Sequence, residues 1–361
     1  MKNILSALSG TYAEREEVIE GLLVALIARQ HVLLIGPPGT GKSALVADLT
    51  SRITGASYFQ WLLTRFSTPE ELFGPVSLKE LEQGVYKRNT AGKLPEAHIA
   101  FLDEIFKSNS AILNSLLTLI NERLFYNNGH PIPVPLMTLV GASNEYPEEG
   151  EGLEALFDRF LLRYEVDYVG EEKSFMAMIK GSAPQKADIA LANLNEMQFF
   201  SDMVSVPNEV YETLSKIRNE LKDEGIRPSD RRFVQSISIL RAKAVLDGRD
   251  HVIREDILML KNSLWERPEQ REKVSGIVKK HAQDVVKQFV EELHLQINDM
   301  LKSLEDNNTT EQAVEVTRKL RMLGRELDRM DNHYPGRTEI AEAERFMRET
   351  LERISAQVLG V

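Results

Sequence analysis

The apolar run Val32-Leu33-Leu34-Ile35 leads directly into Gly36-Pro37-Pro38-Gly39-Thr40-Gly41-Lys42-Ser43. The run is too short for a helix and right for a buried strand. The residues that follow it fit the phosphate-cradling pattern G-x-x-x-x-G-K-[ST] in full. Beyond them, Ala44-Leu45-Val46-Ala47-Asp48-Leu49 has the apolar spacing of a helix. A strand, this loop and a helix N-terminus place free backbone N–H groups and the positive end of a helix dipole where a polyphosphate can sit. Glycine lets the backbone approach anionic oxygens and take positive φ. Lys42 is the candidate for the β- and γ-phosphates, and the Ser43 hydroxyl is a candidate ligand of Mg²⁺.

The chain of 361 residues, 42% of them hydrophobic, has material for two or three domains and an ample core. It has no cysteine, so disulfides and thiolate zinc sites are excluded. The N-terminus turns charged at Glu14-Arg15-Glu16-Glu17, and the longest apolar run, Leu22 to Ala28, is far short of a bilayer span. A cytoplasmic protein without a membrane span is the expectation. The net charge of −11, with no cluster of Lys and Arg among aromatics, argues against nucleic acid as the partner.

Strand-like and helix-like segments alternate from about residue 14 to residue 170. A helix over 14–29 precedes strand 32–35, and strands are predicted at 58–63, 99–102, 136–140 and 162–166. Such alternation predicts a mostly parallel sheet flanked by helices, an α/β core. The pattern loosens around 170–205 and becomes helical from Pro207 to Trp265, a small all-helical domain. Three long helices follow. Their stripes are Val290, Leu293, Ile297, Met300 and Leu304; Val316, Leu320, Leu323, Leu327 and Met330; and Ile340, Phe346, Met347, Leu351, Ile354 and Val358. Steps of three and four predict that they pack on one another as a C-terminal arm. Asn307-Asn308 separates the first two, and Thr309-x-x-Gln312 has the form of a capping box.

Ile99-Ala100-Phe101-Leu102-Asp103-Glu104 ends a buried strand on two carboxylates. Phosphoryl transfer needs mainly positioning and charge neutralisation. Asp103 is therefore a candidate metal ligand and Glu104 a candidate for polarising the attacking water. Leu139-Val140-Gly141-Ala142-Ser143-Asn144 ends another strand on an amide that can orient that water; a strand-terminating turn is the plainer role. In Leu156-Phe157-Asp158-Arg159-Phe160, Arg159 is a candidate to neutralise transition-state charge from a neighbouring subunit, with Arg163 a second choice. Pro228-Ser229-Asp230-Arg231-Arg232 opens a helix whose N-cap is Ser229 or Asp230. Arg231, with Arg232 as the alternative, is expected to reach back to the bound phosphates. Two insertions break the alternation: Arg65 to Gly92, and Leu124 to His130, where Asn128-Gly129 signals a hairpin. The histidines show no metal-ligand spacing.

The chain resembles AAA+ ATPases of the MoxR family, and within it the RavA group. The resemblance covers about residues 10 to 265. It rests on Leu63 to Pro75, Leu94-Pro95-Glu96-Ala97 through Asp103-Glu104-Ile105, Asn114 to Leu117 with Ile120-Asn121-Glu122-Arg123, and Ala142-Ser143-Asn144-Glu145. It implies an AAA+ P-loop core over 1–180, a helical lid over 181–266 and a three-helix arm over 267–361. It also implies ATP and Mg²⁺ at the interfaces of a homo-hexamer. In its terms Gly36–Ser43 is Walker A, Asp103 and Glu104 are Walker B, Asn144 is sensor 1, Arg159 is the arginine finger and Arg231 is sensor 2. The insertion after residue 65 would be the helix-2 insert, and 124–134 the pre-sensor hairpin. Tyr12-Ala13-Glu14-Arg15 resembles the segment beside the adenine. Members of the RavA group work with partners carrying a von Willebrand factor A domain.

One departure stands out. The best-known members carry a small β-rich, partner-binding domain within the C-terminal arm, and here only the Asn332–Thr338 turn takes its place. The function expected is a chaperone-like ring ATPase that remodels a protein client. A nucleic-acid translocase and a nucleotide-dependent scaffold are the competing readings.

Overall fold

The computed structural model describes residues 1–147, 152–181, 186–283, 285–306, 310–334 and 336–359. They form two units, Met1–Lys279 and Lys280–Val361. In the first, helices α1 (Lys2–Ser9) and α2 (Glu16–Ala28) lead to strand β1 (Val32–Ile35), and α3 (Lys42–Ser51) follows the glycine-rich loop. Strands β2 (Tyr58–Leu62) and β3 (Ile99–Asp103) come next, then α4 (Ser110–Glu122) and the hairpin β4 (Leu124–Asn127) and β5 (His130–Pro133). Strand β6 (Thr138–Ser143), α5 (Glu154–Arg159) and β7 (Leu162–Glu165) complete the α/β part.

The sheet order is β2-β3-β6-β1-β7, with every pair parallel. Strand β1 is buried throughout, as its uninterrupted apolar run requires. Strand β6 runs three residues beyond the predicted stretch, through Gly141-Ala142-Ser143. Gly141 belongs there because a Cβ would lie 2.8 Å from the Phe160 ring that packs on it. The order sets the carboxyl ends of β1, β6 and β3 side by side, where ligands bind in open α/β sheets.

Where the sequence pattern loosens, the structure has two helices, α6 (Glu172–Lys180) and α7 (Leu191–Met203). Helix α6 carries Phe175, Met178 and Ile179 at helical spacing but buries none of them, so it adds nothing to the core. Then come α8 (Asn208–Asp223), α9 (Asp230–Leu246) and α10 (Arg271–Ala282). Ser229 caps α9 by accepting the Arg232 N–H.

The two insertions form one body. The Asn128-Gly129 turn has positive φ at both residues, 54° and 74°, and the hairpin closes there. The Asn127 side chain, buried, accepts the Arg88 N–H at 2.8 Å and donates to the Arg88 carbonyl at 3.1 Å. Phe73 of the first insertion stacks on Phe125 of the hairpin at 5.5 Å.

In the second unit, α11 (Val285–Asp306), α12 (Thr310–His333) and α13 (Thr338–Leu359) share one apolar core. Val290, Leu293 and Ile297, Leu320 and Leu327, and Ile340, Met347 and Ile354 supply it. These are the stripes the spacing predicts. The Asn307-Asn308 break, Thr309 of the capping box and Pro335 lie outside the described residues.

Candidate nucleotide site

The loop 36–43 leaves β1 at Gly36, whose N–H donates to the Ser143 carbonyl of the neighbouring strand at 3.0 Å. A Cβ at Gly36 would lie 2.0 Å from the Val166 carbonyl oxygen, so the chain can turn here only as glycine. Gly39 and Gly41 take φ of 82° and 81°, and Gly41 caps α3. The side chain of Lys42, buried, folds back over the loop. Its ammonium donates to the Gly36 and Pro37 carbonyls at 2.6 and 2.9 Å and lies 3.5 Å from Asn144 Oδ1. Burial lowers its pKa, and the charges of Asp103 and Glu104 act in the opposite sense.

Asn144 also donates through Nδ2 to Glu104 Oε1, so one amide joins the lysine to the carboxylate. Glu104 is buried and takes φ 52°, ψ 45°, a left-handed conformation at a non-glycine residue. That conformation costs about 1–3 kcal/mol, and strain of this kind clusters at functional sites. Lys107, which the sequence reading missed, pairs with the other Glu104 oxygen at 3.2 Å. A cavity of about 410 Å³ opens beside Glu104, bordered by Arg65, Lys107, Asn109, Glu145 and Tyr146; the phosphate loop itself lies outside it.

On the other flank, Tyr12 donates to the Ala44 carbonyl at 3.1 Å and Tyr168 to the Pro38 carbonyl at 3.2 Å. Glu14 accepts the N–H groups of Gly170 and Glu171, each at 2.9 Å, and these bonds hold its carboxyl below the usual range. Tyr168 carries no sequence signal, because it meets the loop only through the fold. For Mg²⁺, the hydroxyl of Ser43 and the carboxylate of Asp103 are hard oxygen donors beside a lysine, a donor set that fits the ion.

The candidate arginines lie elsewhere. Helix α5 delivers Arg159 to the opposite edge of the sheet, where β7 begins and the Leu162 N–H donates to the His31 carbonyl. Arg159 is half-buried, and its Nε has no hydrogen-bond partner among the described residues. Arg231, expected to reach back to the bound phosphates, has other contacts in the structure. Its guanidinium is exposed and donates to Asn121 Oδ1 at 3.1 Å, at the far end of α4. That end belongs to the amino edge: Ile120 O bonds His31, and Arg123 bonds the Arg29 and Met137 carbonyls.

The two alternatives are spoken for. Arg163 is 1% exposed, donates to the carbonyls of Phe157, Phe160 and Trp265, and lies 3.9 Å from the Phe157 ring centroid. Burial, reinforced by Arg232, pushes its pKa down. Arg232 is equally buried and bonds Asp158, Leu161 and Ser263.

Comparisons with known proteins bear on the family and the fold. Residues 1–199 match the family described as the MoxR domain in MoxR–vWA–β-propeller ternary systems, and residues 209–278 match an AAA lid domain. The matching description names those ternary systems rather than the RavA group. An uncharacterized protein of Methanocaldococcus jannaschii is 40% identical over 278 residues, 76% of this chain and 74% of that one. The chaperone MoxR1 of Mycobacterium tuberculosis is 26% identical over 263 residues, 68% of each chain. A crystal structure from Cytophaga hutchinsonii, of a protein provisionally assigned as an ATPase, superposes with a TM-score of 0.63. It covers 77% of this chain and 93% of its own at 19% identity, and so speaks to the fold. Among the described residues no helix is long and apolar enough to cross a membrane. With a phosphate loop, a strand-end acidic pair and a helical lid in the family's arrangement, the chain belongs to the MoxR family of AAA+ ATPases.

Proposed function

We propose that the protein hydrolyses ATP in a ring of its own copies, a hexamer by family resemblance, with each site completed by the neighbouring protomer. The observation that carries this reading is the division of charge between the two edges of the sheet. Lys42, Asp103, Glu104 and Asn144 gather at the carboxyl edge, while Arg159 and Arg231 stand at the amino edge. Within one protomer the arginines cannot serve the phosphates; across an interface they can. Arg231 thus acts beside Arg159 on the neighbour's nucleotide rather than on its own.

In this reading the loop amides of 36–43 hold the β- and γ-phosphates, and Lys42 exchanges its bonds to the Gly36 and Pro37 carbonyls for phosphate oxygens. Ser43 and Asp103 would hold Mg²⁺, which when bound neutralises phosphate charge. Glu104 polarises the attacking water and takes up its proton. Asn144 keeps that carboxylate in register with the lysine. Arg159 neutralises charge on the γ-phosphoryl group as it transfers, a role worth roughly 10³–10⁵ in rate.

The work done with this energy is, we propose, remodelling or maturation of a protein client together with a partner carrying a von Willebrand factor A domain. The family's description supports the partner, since it places such MoxR domains in ternary systems with vWA and β-propeller components. The clamped insertion and hairpin are the candidate lining of a central pore.

The test is complementation. Lys42→Ala and Arg159→Ala proteins should each be inactive. When mixed and allowed to exchange subunits, they should recover ATP turnover, because an intact loop then meets an intact finger. A mixture as inactive as its components overturns the shared site.

A further inference from the structure

Arg232 is spent on an unusual set of partners. It is 1% exposed, at the first turn of lid helix α9. Its guanidinium donates to Asp158 Oδ1 at 3.1 Å and to the carbonyls of Asp158, Leu161 and Ser263 at 2.9, 3.1 and 2.6 Å. Asp158 and Leu161 bracket Arg159, while Ser263 lies at the end of the lid segment. Arg163 strengthens the same corner by bonding the carbonyls of Phe157, Phe160 and Trp265. Asp158, Phe160 and Leu161, which surround Arg159, are therefore held from the lid by Arg232, while Arg163 of β7 holds Phe157 and Phe160 from the core. Arg159 itself stays half-buried with part of its surface exposed; its Nε, like that of Arg232, has no hydrogen-bond partner among the described residues. A buried cation is expensive unless its surroundings are fully committed to it. A plain core–lid contact has no need of one.

We propose that Arg232 is a positioning residue for Arg159: it fastens the finger-bearing turn to the lid, so that the lid of one protomer sets the aim of the cation offered to the neighbour's nucleotide. This rests on the reading of Arg159 as a finger acting in trans. Arginine suits the task because its planar fork reaches several oxygens at fixed angles, which a lysine ammonium cannot do.

The experiment is Arg232→Lys, which keeps the charge and loses the fork. Turnover should fall by about tenfold to roughly 10²-fold, the scale of a misplacement near one ångström. The KM for ATP should stay near that of the wild type, while the midpoint of thermal unfolding falls, because the lost fork leaves buried carbonyls unpaired; turnover is therefore compared well below both transitions. The deciding measurement is subunit mixing with Lys42→Ala. Arg232→Lys protein keeps a sound loop, and Lys42→Ala protein keeps a correctly aimed finger, so the mixture should turn over faster than either alone. No gain on mixing, while Arg159→Ala with Lys42→Ala does gain, overturns the positioning role and leaves the trans site standing. No gain in either mixture overturns both. Should Arg232→Lys fail to fold, Asp158→Asn removes the ionic partner alone, and the same mixture with Lys42→Ala decides in the same way.

Discussion

The carboxyl edge of the sheet and its amino edge hold opposite chemistry in opposite mechanical states. At the carboxyl edge the polar groups are bonded to one another, and those bonds can be traded for a ligand. Lys42 rests on its own loop's carbonyls and Asn144 spans lysine and glutamate. At the amino edge the guanidinia of Arg163 and Arg232 are buried and committed to backbone oxygens. Of the four arginines the sequence offers for the site, Arg159 and Arg231 are the two left with exposed surface. One edge is arranged to rearrange around an anion; the other is arranged to hold still while presenting a cation. A ring ATPase needs both, since a transition state is stabilised by groups that do not move to reach it.

The strongest way to test the contrast is at the carboxyl edge. Glu104→Gln should lower turnover by roughly 10²–10⁴-fold, the contribution of a positioned proton acceptor. Nucleotide affinity should hold, because the loop and Lys42 are untouched. A variant with near-normal turnover would remove Glu104 from its role and dissolve the division of labour.

Around the buried guanidinia the first effect of a change should be on stability. Trp265 is fully buried against Phe157 and Arg163, with ring centroids 6.0 Å apart for the aromatic pair. Trp265→Ala should cost about 3–5 kcal/mol in urea unfolding, as a large cavity in a stiff region does. A much smaller cost would mean that this edge repacks easily, and the rigid half of the contrast would go.

The smallest effect sharpens the same point through pH. His31, fully buried at the start of β1, donates from Nε2 to the Ile120 carbonyl and accepts the Leu139 N–H at Nδ1. Accepting at Nδ1 needs the neutral ring, and burial pushes its pKa well below the ordinary 6.5. The unfolded chain takes up a proton near that value and the folded protein does not. Stability is therefore full above it and declines on acidification, by about 1.4 kcal/mol per pH unit. His31→Gln should flatten that slope in urea titrations between neutral pH and the mildly acidic range. An unchanged slope would place the acid sensitivity elsewhere.

Legibility in the sequence followed the reach of each signal. The loop, strands β1 and β3, the acidic pair, the Asn-Gly hairpin and the stripes of α11, α12 and α13 are local patterns, and the structure carries all of them. Strand β6 was legible in its apolar start and in the Asn144 that ends it; the reason for Gly141 between them, a packing contact with Phe160, is encoded by no periodicity. Helix α6 is short, and its apolar residues Phe175, Met178 and Ile179 stay exposed. Tyr168 and Lys107 had no motif to mark them and reach the site through tertiary contact alone.

The residues alone determined that this chain would build a strand–loop–helix phosphate cradle with a carboxylate pair on a neighbouring strand. Those requirements are met within a few consecutive positions. Which member of each arginine pair keeps exposed surface was decided only by the tertiary structure. Arg159 and Arg163, like Arg231 and Arg232, are alike in sequence and differ in what surrounds them. The carbonyls of Ser263 and Trp265, some 31 and 102 residues away along the chain, claim Arg232 and Arg163. A guanidinium is buried only where the fold brings enough oxygens to it, and no local pattern reports where those oxygens come from.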